Sequence, residues 1–148
     1  MMSILRKITE DLTMAIKAKD EIRLSSLRML KSDLKNRQVE KGQDLTDAEI
    51  QSAVSSLIRK GRDAAKEFRK GHREDLAVKE EREIEVYHAY LPQQLESSEI
   101  EKILKETISE LSAEGSKDLG RVMKTAMARM AGRAQGQEVN EIAKRLLG

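Results

Sequence analysis

From Ser3 onward, apolar side chains recur at intervals of three and four residues, the period of a helix that buries one face. Leu5, Ile8, Leu12 and Ile16 form the first such stripe, with Ser3 as the expected N-cap and an end near Lys19. Asp20 caps a second helix that turns Leu24, Leu27, Leu30 and Leu34 inward and stops at Gly42. Thr46 and Glu49 have the spacing of a capping box, in which each side chain satisfies the other residue's backbone amide. They open a third helix through Ile50, Val54, Leu57, Gly61, Ala65 and Phe68, ending at Gly71. Gly61 falls on the apolar stripe itself. Glycine costs about 1 kcal/mol against alanine inside a helix, so its expected use is the close approach of a neighbouring helix. A fourth helix runs from about Asp75 to Tyr90.

The pattern breaks at Pro92, the one proline of the chain, which lacks an amide donor and pushes Leu91 out of the helical region. Ser98 and Glu101 then repeat the capping-box spacing and start afresh. Ile100, Ile103, Leu104, Ile108 and Leu111 mark a fifth helix that ends before Gly115. A sixth begins near Lys117 and shows Leu119, Val122, Met123, Met127 and Met130. After a loop bracketed by Gly132 and Gly136, a last helix uses Val139, Ile142, Leu146 and Leu147. No alternating strand pattern occurs. The expectation is an all-α fold: an N-terminal helical domain of about four helices over 1–91, a proline hinge at 92–96, and a small three-helix C-terminal domain over 97–148.

Composition supports this. Aromatic residues make up 2% of the 148 and tryptophan is absent, so the cores must come from Leu, Ile, Val, Met and Ala, which suit helix-on-helix packing. Charged residues reach 36%, enough for wide solvated faces, while the net charge is only +2. An anionic partner must therefore be met by a local patch. With no cysteine, disulfides, thiolate catalysis and cysteine-based zinc sites are excluded together. The N-terminus shows helical spacing in place of a signal peptide's apolar run, and no stretch approaches the roughly 20 apolar residues of a membrane span. A soluble, cytoplasmic protein without membrane contact is expected.

Charge is unevenly distributed. Residues 59–73 hold Arg59, Lys60, Arg62, Lys66, Arg69, Lys70 and Arg73 against Asp63 and Glu67, a local excess of five positive charges. Residues 115–137 hold Lys117, Arg121, Lys124, Arg129 and Arg133 against Asp118 alone. Residues 96–114 carry six glutamates against Lys102 and Lys105. Lys117, Arg121 and Lys124 are spaced to share one helical face. Arg133 sits beside Gly132 in a loop whose glycines let backbone amides approach a ligand, so phosphate oxygens are the expected target. An ordinary solvated face with a glycine cap is the alternative. The stretch from Arg59 to Arg73 forms a secondary basic patch. It lacks the interleaved aromatics that stack on bases, so any nucleic-acid contact there is to backbone and shape.

The chemistry of catalysis is missing. His72 and His88 lie too far apart for a zinc-binding His-Glu-x-x-His pattern, and no metal site is expected. Glu80, Glu81, Glu83 and Glu85 lie on one predicted helix and read as solvated surface. No phosphate-binding glycine loop and no nucleophile elbow occurs. No catalytic residue and no cofactor is assigned.

Six separated segments, taken in order, carry a resemblance. Leu27-Arg28-Met29-Leu30-Lys31-Ser32, Phe68 through Leu76, Glu80-Glu81-Arg82-Glu83-Ile84, Tyr90-Leu91-Pro92, Gly120-Arg121-Val122-Met123 and Gly132-Arg133-Ala134 together resemble the GatB/YqeY family over nearly the whole chain. The resemblance implies an all-helical protein whose small C-terminal domain is similar to the tail of the B subunit of tRNA-dependent amidotransferases. In those enzymes the tail helps hold tRNA, while a separate domain transfers the amide. Carbon-nitrogen ligase activity with glutamine as amido donor is thus implied by the family name, and no catalytic counterpart is present in this chain. The residues matching the tail's basic helix and loop are Lys117, Gly120, Arg121, Lys124, Gly132 and Arg133. The partners implied are tRNA, or an amidotransferase or aminoacyl-tRNA synthetase on which the chain docks as an adaptor.

Overall fold

The computed structural model describes residues 3–148. Among them every regular element is helical, and no strand occurs, so the fold is all-α. The chain forms two compact units, one ending at Leu91 and one running from Pro92 to Gly148.

The first unit contains α1 (Ile4–Ala18), α2 (Glu21–Lys41), α3 (Asp47–Lys70) and α4 (Glu74–His88). Its helix starts follow local chemistry. The Ser3 hydroxyl accepts from the Arg6 amide at 3.2 Å, and the Asp20 carboxylate accepts from the Arg23 amide at 3.2 Å. Thr46 and Glu49 form the reciprocal box, at 3.2 Å and 3.0 Å. Each bond satisfies an amide that the first turn leaves without a partner. Gly42 ends α2 at a φ of 78°, which costs glycine nothing.

Lys41 and the Thr46 amide hold the Glu49 carboxyl down from 4.5 to about 2. A carboxyl whose folded value is depressed stabilises the fold above its unfolded value and loses that contribution as pH falls through its folded one. Glu49→Gln should therefore narrow its stability gap to the parent as pH drops from about 4.5 to about 2. Denaturation midpoints of the two chains across that window provide the test, and a pH-independent gap would contradict the assignment.

Ile8, Leu27, Leu30, Val54 and Ile58 are fully buried at the centre of this unit, with Tyr87 and Tyr90 at its α4 end. The inward face of α1 is rotated from the expected one: Ile8, Leu12 and Ala15 turn to the core, while Leu5 and Ile16 stay 43% and 52% exposed. Spacing alone allowed either Ala15 or Ile16 to continue the stripe. At Gly61, an added Cβ would lie 3.0 Å from Ile84 Cγ1, so the α3 backbone packs directly on the Ile84 side chain of α4. The unit is tied end to end by Tyr90, whose hydroxyl donates to the Asp11 carboxylate at 2.7 Å. Beside it, Lys7 donates to the Ala89 carbonyl at 3.2 Å and stands 5.4 Å from the Tyr90 ring centroid.

The second unit contains α5 (Ser97–Leu111), a 3₁₀ turn (Ser116–Asp118), α6 (Leu119–Met130) and α7 (Gly136–Leu147). Ile100, Leu104, Val122, Ala126, Met130 and Val139 fill its core. Thr107, also fully buried, donates its hydroxyl to the Ile103 carbonyl at 2.8 Å. The expected cap of α5 is displaced by two residues: Glu99, not Glu101, reaches back, and it accepts from the Glu96 amide at 3.2 Å. Ser97 instead donates to Glu138 of α7 at 2.7 Å. The cause is tertiary, because the Leu95 amide is already bonded to the Arg133 carbonyl at 2.7 Å and fixes where the helix begins. The sixth helix also starts later than expected, at Leu119, with Lys117 on the 3₁₀ turn before it.

Candidate functional site

In α6, Val122, Ala126 and Met130 face the core, which leaves Arg121 and Lys124 exposed on the opposite side. Lys117 is exposed on the turn that leads into them. Gly120 lies in the same first turn, and an added Cβ there would meet nothing within 4 Å, so the backbone is open to a ligand. The acid of this face is Asp118. The Glu114 amide at 2.8 Å and the neighbouring Arg121 and Lys117 charges hold it below the usual carboxylate range. It stays anionic and pairs with Arg121 at 3.3 Å. Lys124 makes no ion pair or hydrogen bond among the described residues.

Arg129 and Arg133 are exposed but engaged elsewhere. Arg129 reaches across to α5, where it pairs with Glu110 and donates to the Thr107 hydroxyl at 3.2 Å. It lies about 140° around the helix from Lys124, so it does not join that face. Arg133 donates through Nε to the Gln93 carbonyl at 3.1 Å. The Gly132 carbonyl accepts from the Gln94 side chain at 3.1 Å, and Gln135, 7% exposed, donates to Gln94 at 3.1 Å. The stretch expected as a hinge, 92–96, is in this way laced to the 132–135 loop. Sequence reasoning missed Gln94 and Gln135, because nothing in their local spacing signals a pairing across about 40 residues.

The secondary patch divides in two. Arg69 is held by Glu74 and Glu81, Lys70 pairs with Glu67 at 3.3 Å, and Arg73 pairs with Asp75 at 3.2 Å. Among the described residues, Arg59, Lys60 and Lys66 are exposed on α3 without such partners, and Arg62 is half-buried near His88. Glu74, Asp75 and Glu81, beyond the counted window, and Glu67 within it occupy the cations of the lower half, so the stretch is not one continuous basic surface.

The carboxylates of α4 are dispersed. Glu81 joins Arg69, Glu83 accepts from Ser25 at 3.3 Å, and Glu80 lies near Tyr87. Burial, then Glu83, raises Glu80, and burial, then Arg62, lowers His88. His72 sits in the turn after α3 at a φ of 59°. No group of three or more His, Asp or Glu able to hold a metal occurs among the described residues.

Comparison with known proteins places this geometry in context. The chain is 38% identical over 95 residues to "Altered inheritance of mitochondria protein 41, mitochondrial" of Lachancea thermotolerans, covering 64% of this chain and 51% of the relative. It is 28% identical over 137 residues to the protein of that name in Pyrenophora tritici-repentis, covering 91% and 75%. With the Saccharomyces cerevisiae protein it shares 33% over 92 residues, covering 62% and 50%. The matches thus span about half the length of two of these relatives. Their names overturn the expectation of a cytoplasmic protein, since all three are named as mitochondrial. The features behind that expectation do not discriminate: a cysteine-free chain without a long apolar run suits either side of an organelle's membranes. Among the described residues, no helix is long and apolar enough to cross a membrane. The relatives' names specify no enzyme activity. A model of the Yqey-like protein family matches residues 5–147, and the chain belongs to that family.

Proposed function

We propose that this chain is a non-catalytic RNA-binding module of the tRNA class, gripping phosphates with Lys117, Arg121, Lys124 and the outer guanidinium nitrogens of Arg133. The observation that carries the reading is the exposed side of α6, where Lys117, Arg121 and Lys124 stand over about 10 Å of chain and only Arg121 is paired, with Asp118, among the described residues. Phosphate binding needs charge that the fold has not already spent, and Lys124 is wholly unspent. Gly120 leaves room for the ligand's backbone. The tRNA class comes from the likeness of this unit to the amidotransferase tail, and the chain itself transfers no amide. Arg129 is outside the contact set because Glu110 holds it. Arg59, Lys60 and Lys66 on α3 provide a separate phosphate contact within the first unit.

Affinity for tRNA measured against salt tests this. Each neutralised phosphate contributes about 0.7–0.9 to the slope of log K against log salt. Replacing Lys117, Arg121 and Lys124 together by alanine should flatten the slope by about 2. Arg69→Ala, at a residue already paired with acids, should leave it unchanged. An undiminished slope in the triple variant would overturn the site.

A further inference from the structure

One side of α2 serves the fold, and the other is exposed, with Ser25 donating to Glu83 of α4 at 3.3 Å. Leu27, Leu30 and Leu34 are buried in the first unit. The exposed positions of the helix then sort into two groups without exception. Ser25, Met29, Ser32, Asn36 and Val39 are uncharged, whereas Glu21, Arg28, Lys31, Lys35, Glu40 and Lys41 are all charged. The uncharged set falls at spacings of four, three, four and three, which is the a/d repeat of a coiled-coil seam about 21 Å long. Met29 and Val39 on this seam are 58% and 73% exposed. A face that merely meets water has no reason to exclude charge at five successive heptad positions.

The charges flanking the seam specify what covers it. With Met29 and Asn36 at a, and Ser25, Ser32 and Val39 at d, the g positions are Arg28 and Lys35 and the e positions are Asp33 and Glu40. In a parallel pair of helices, each g residue meets the e residue five positions further along its partner. Arg28 then faces Asp33 of the second copy, and Lys35 faces Glu40, both opposite in sign. An antiparallel pair would set the basic edge against itself. Among the described residues, Arg28, Lys35 and Glu40 make no ion pair, and Asp33 pairs with Arg37 at 2.8 Å. A single asparagine at an a position is a recognised means of fixing register and a two-stranded state.

We propose that two copies of this chain pair through the outward faces of α2, parallel and in register. Serines at two of the three d positions limit the apolar area, so the dimer is weak and reversible, with a dissociation constant of about 0.1–1 mM. This interface lies on the first unit and does not rest on the RNA reading.

The absence of cysteine makes the test direct. Val39→Cys supplies a single thiol, which faces its own copy in the parallel pair and Met29 in an antiparallel one, where a positions pack against d positions. On mild oxidation it should give disulfide-linked dimer about tenfold faster than Ser52→Cys, an exposed control on α3. Adding Met29→Glu or Lys35→Glu should slow it to the control rate. Restoring the pair as Lys35→Glu with Glu40→Lys should recover the fast rate. Equal rates for Val39→Cys and Ser52→Cys, with sedimentation showing monomer up to about 1 mM, would overturn the proposal. So would fast cross-linking that ignores Met29→Glu, or faster linkage of Met29→Cys to Val39→Cys than of either to itself.

Discussion

Leu104→Ala is expected to unfold the second unit while the first remains folded. Leu104 is fully buried between α5 and its neighbours, and truncating such a leucine costs about 2–5 kcal/mol in lost burial and residual cavity. A unit of roughly 60 residues has a total stability of only about 3–9 kcal/mol. At mid-range values the substitution thus removes about half of what holds α5, α6 and α7 together. The chain offers a clean reading of this, because Tyr87 and Tyr90 lie in the first unit and residues 92–148 contain no aromatic residue. Tyrosine fluorescence follows the first core, and far-ultraviolet circular dichroism follows both. In urea, Leu104→Ala should lose part of its helical signal at lower denaturant, with the tyrosine transition unmoved. A single shifted transition seen by both probes would show that the cores are not independent. The same variant should lose the salt-dependent tRNA affinity proposed for α6.

Gly61→Leu is expected to destabilise the first unit although it removes no atom. Even a Cβ would press on Ile84 Cγ1 at 3.0 Å and Cδ1 at 3.2 Å, and leucine adds three further carbons with no space to enter. Overpacking of this kind costs about 1–3 kcal/mol, which exceeds the roughly 1 kcal/mol that removing a helical glycine returns. Gly61→Ala should fall near zero, because Ile84 can yield by a few tenths of an ångström while helix propensity improves. Adding Ile84→Ala to Gly61→Leu should recover part of the loss. Thermal midpoints of the four chains decide it: equal midpoints for Gly61→Leu and the parent would mean that the α3 backbone does not pack directly on the Ile84 side chain.

Gly61 was legible in the sequence because a glycine on an apolar stripe has few other uses, and the caps at Ser3, Asp20 and Thr46 were legible because their bonds are local. The start of α5 was not, since a bond from Leu95 to a carbonyl about 38 residues away decides it. Two capping-box spacings, Glu96 to Glu99 and Ser98 to Glu101, lay within two residues of each other, and only the long-range bond selects between them. The rotated face of α1 has a similar cause: Ala15 and Ile16 are adjacent, and packing chose the smaller. Charge was legible as composition and not as availability. Arg69, Lys70 and Arg73 counted toward a basic patch until Glu74, Glu81, Glu67 and Asp75 were seen beside them. Of the C-terminal cations, the sequence placed Arg121 and Lys124 on one face, but it held no sign that Arg129 is occupied by Glu110 on another helix.

The bond from Tyr90 to Asp11 joins the last residues of the first unit to its first helix. On a ribosome, α1 and α2 emerge early and can pair as neighbours, yet α1 has no latch until residue 90 has left the exit tunnel. Until then, Ile8 and Leu12 lack part of their cover, and the nascent chain offers an apolar stripe to any chaperone at hand. A stalled or prematurely terminated product ending before Tyr90 would carry that stripe permanently.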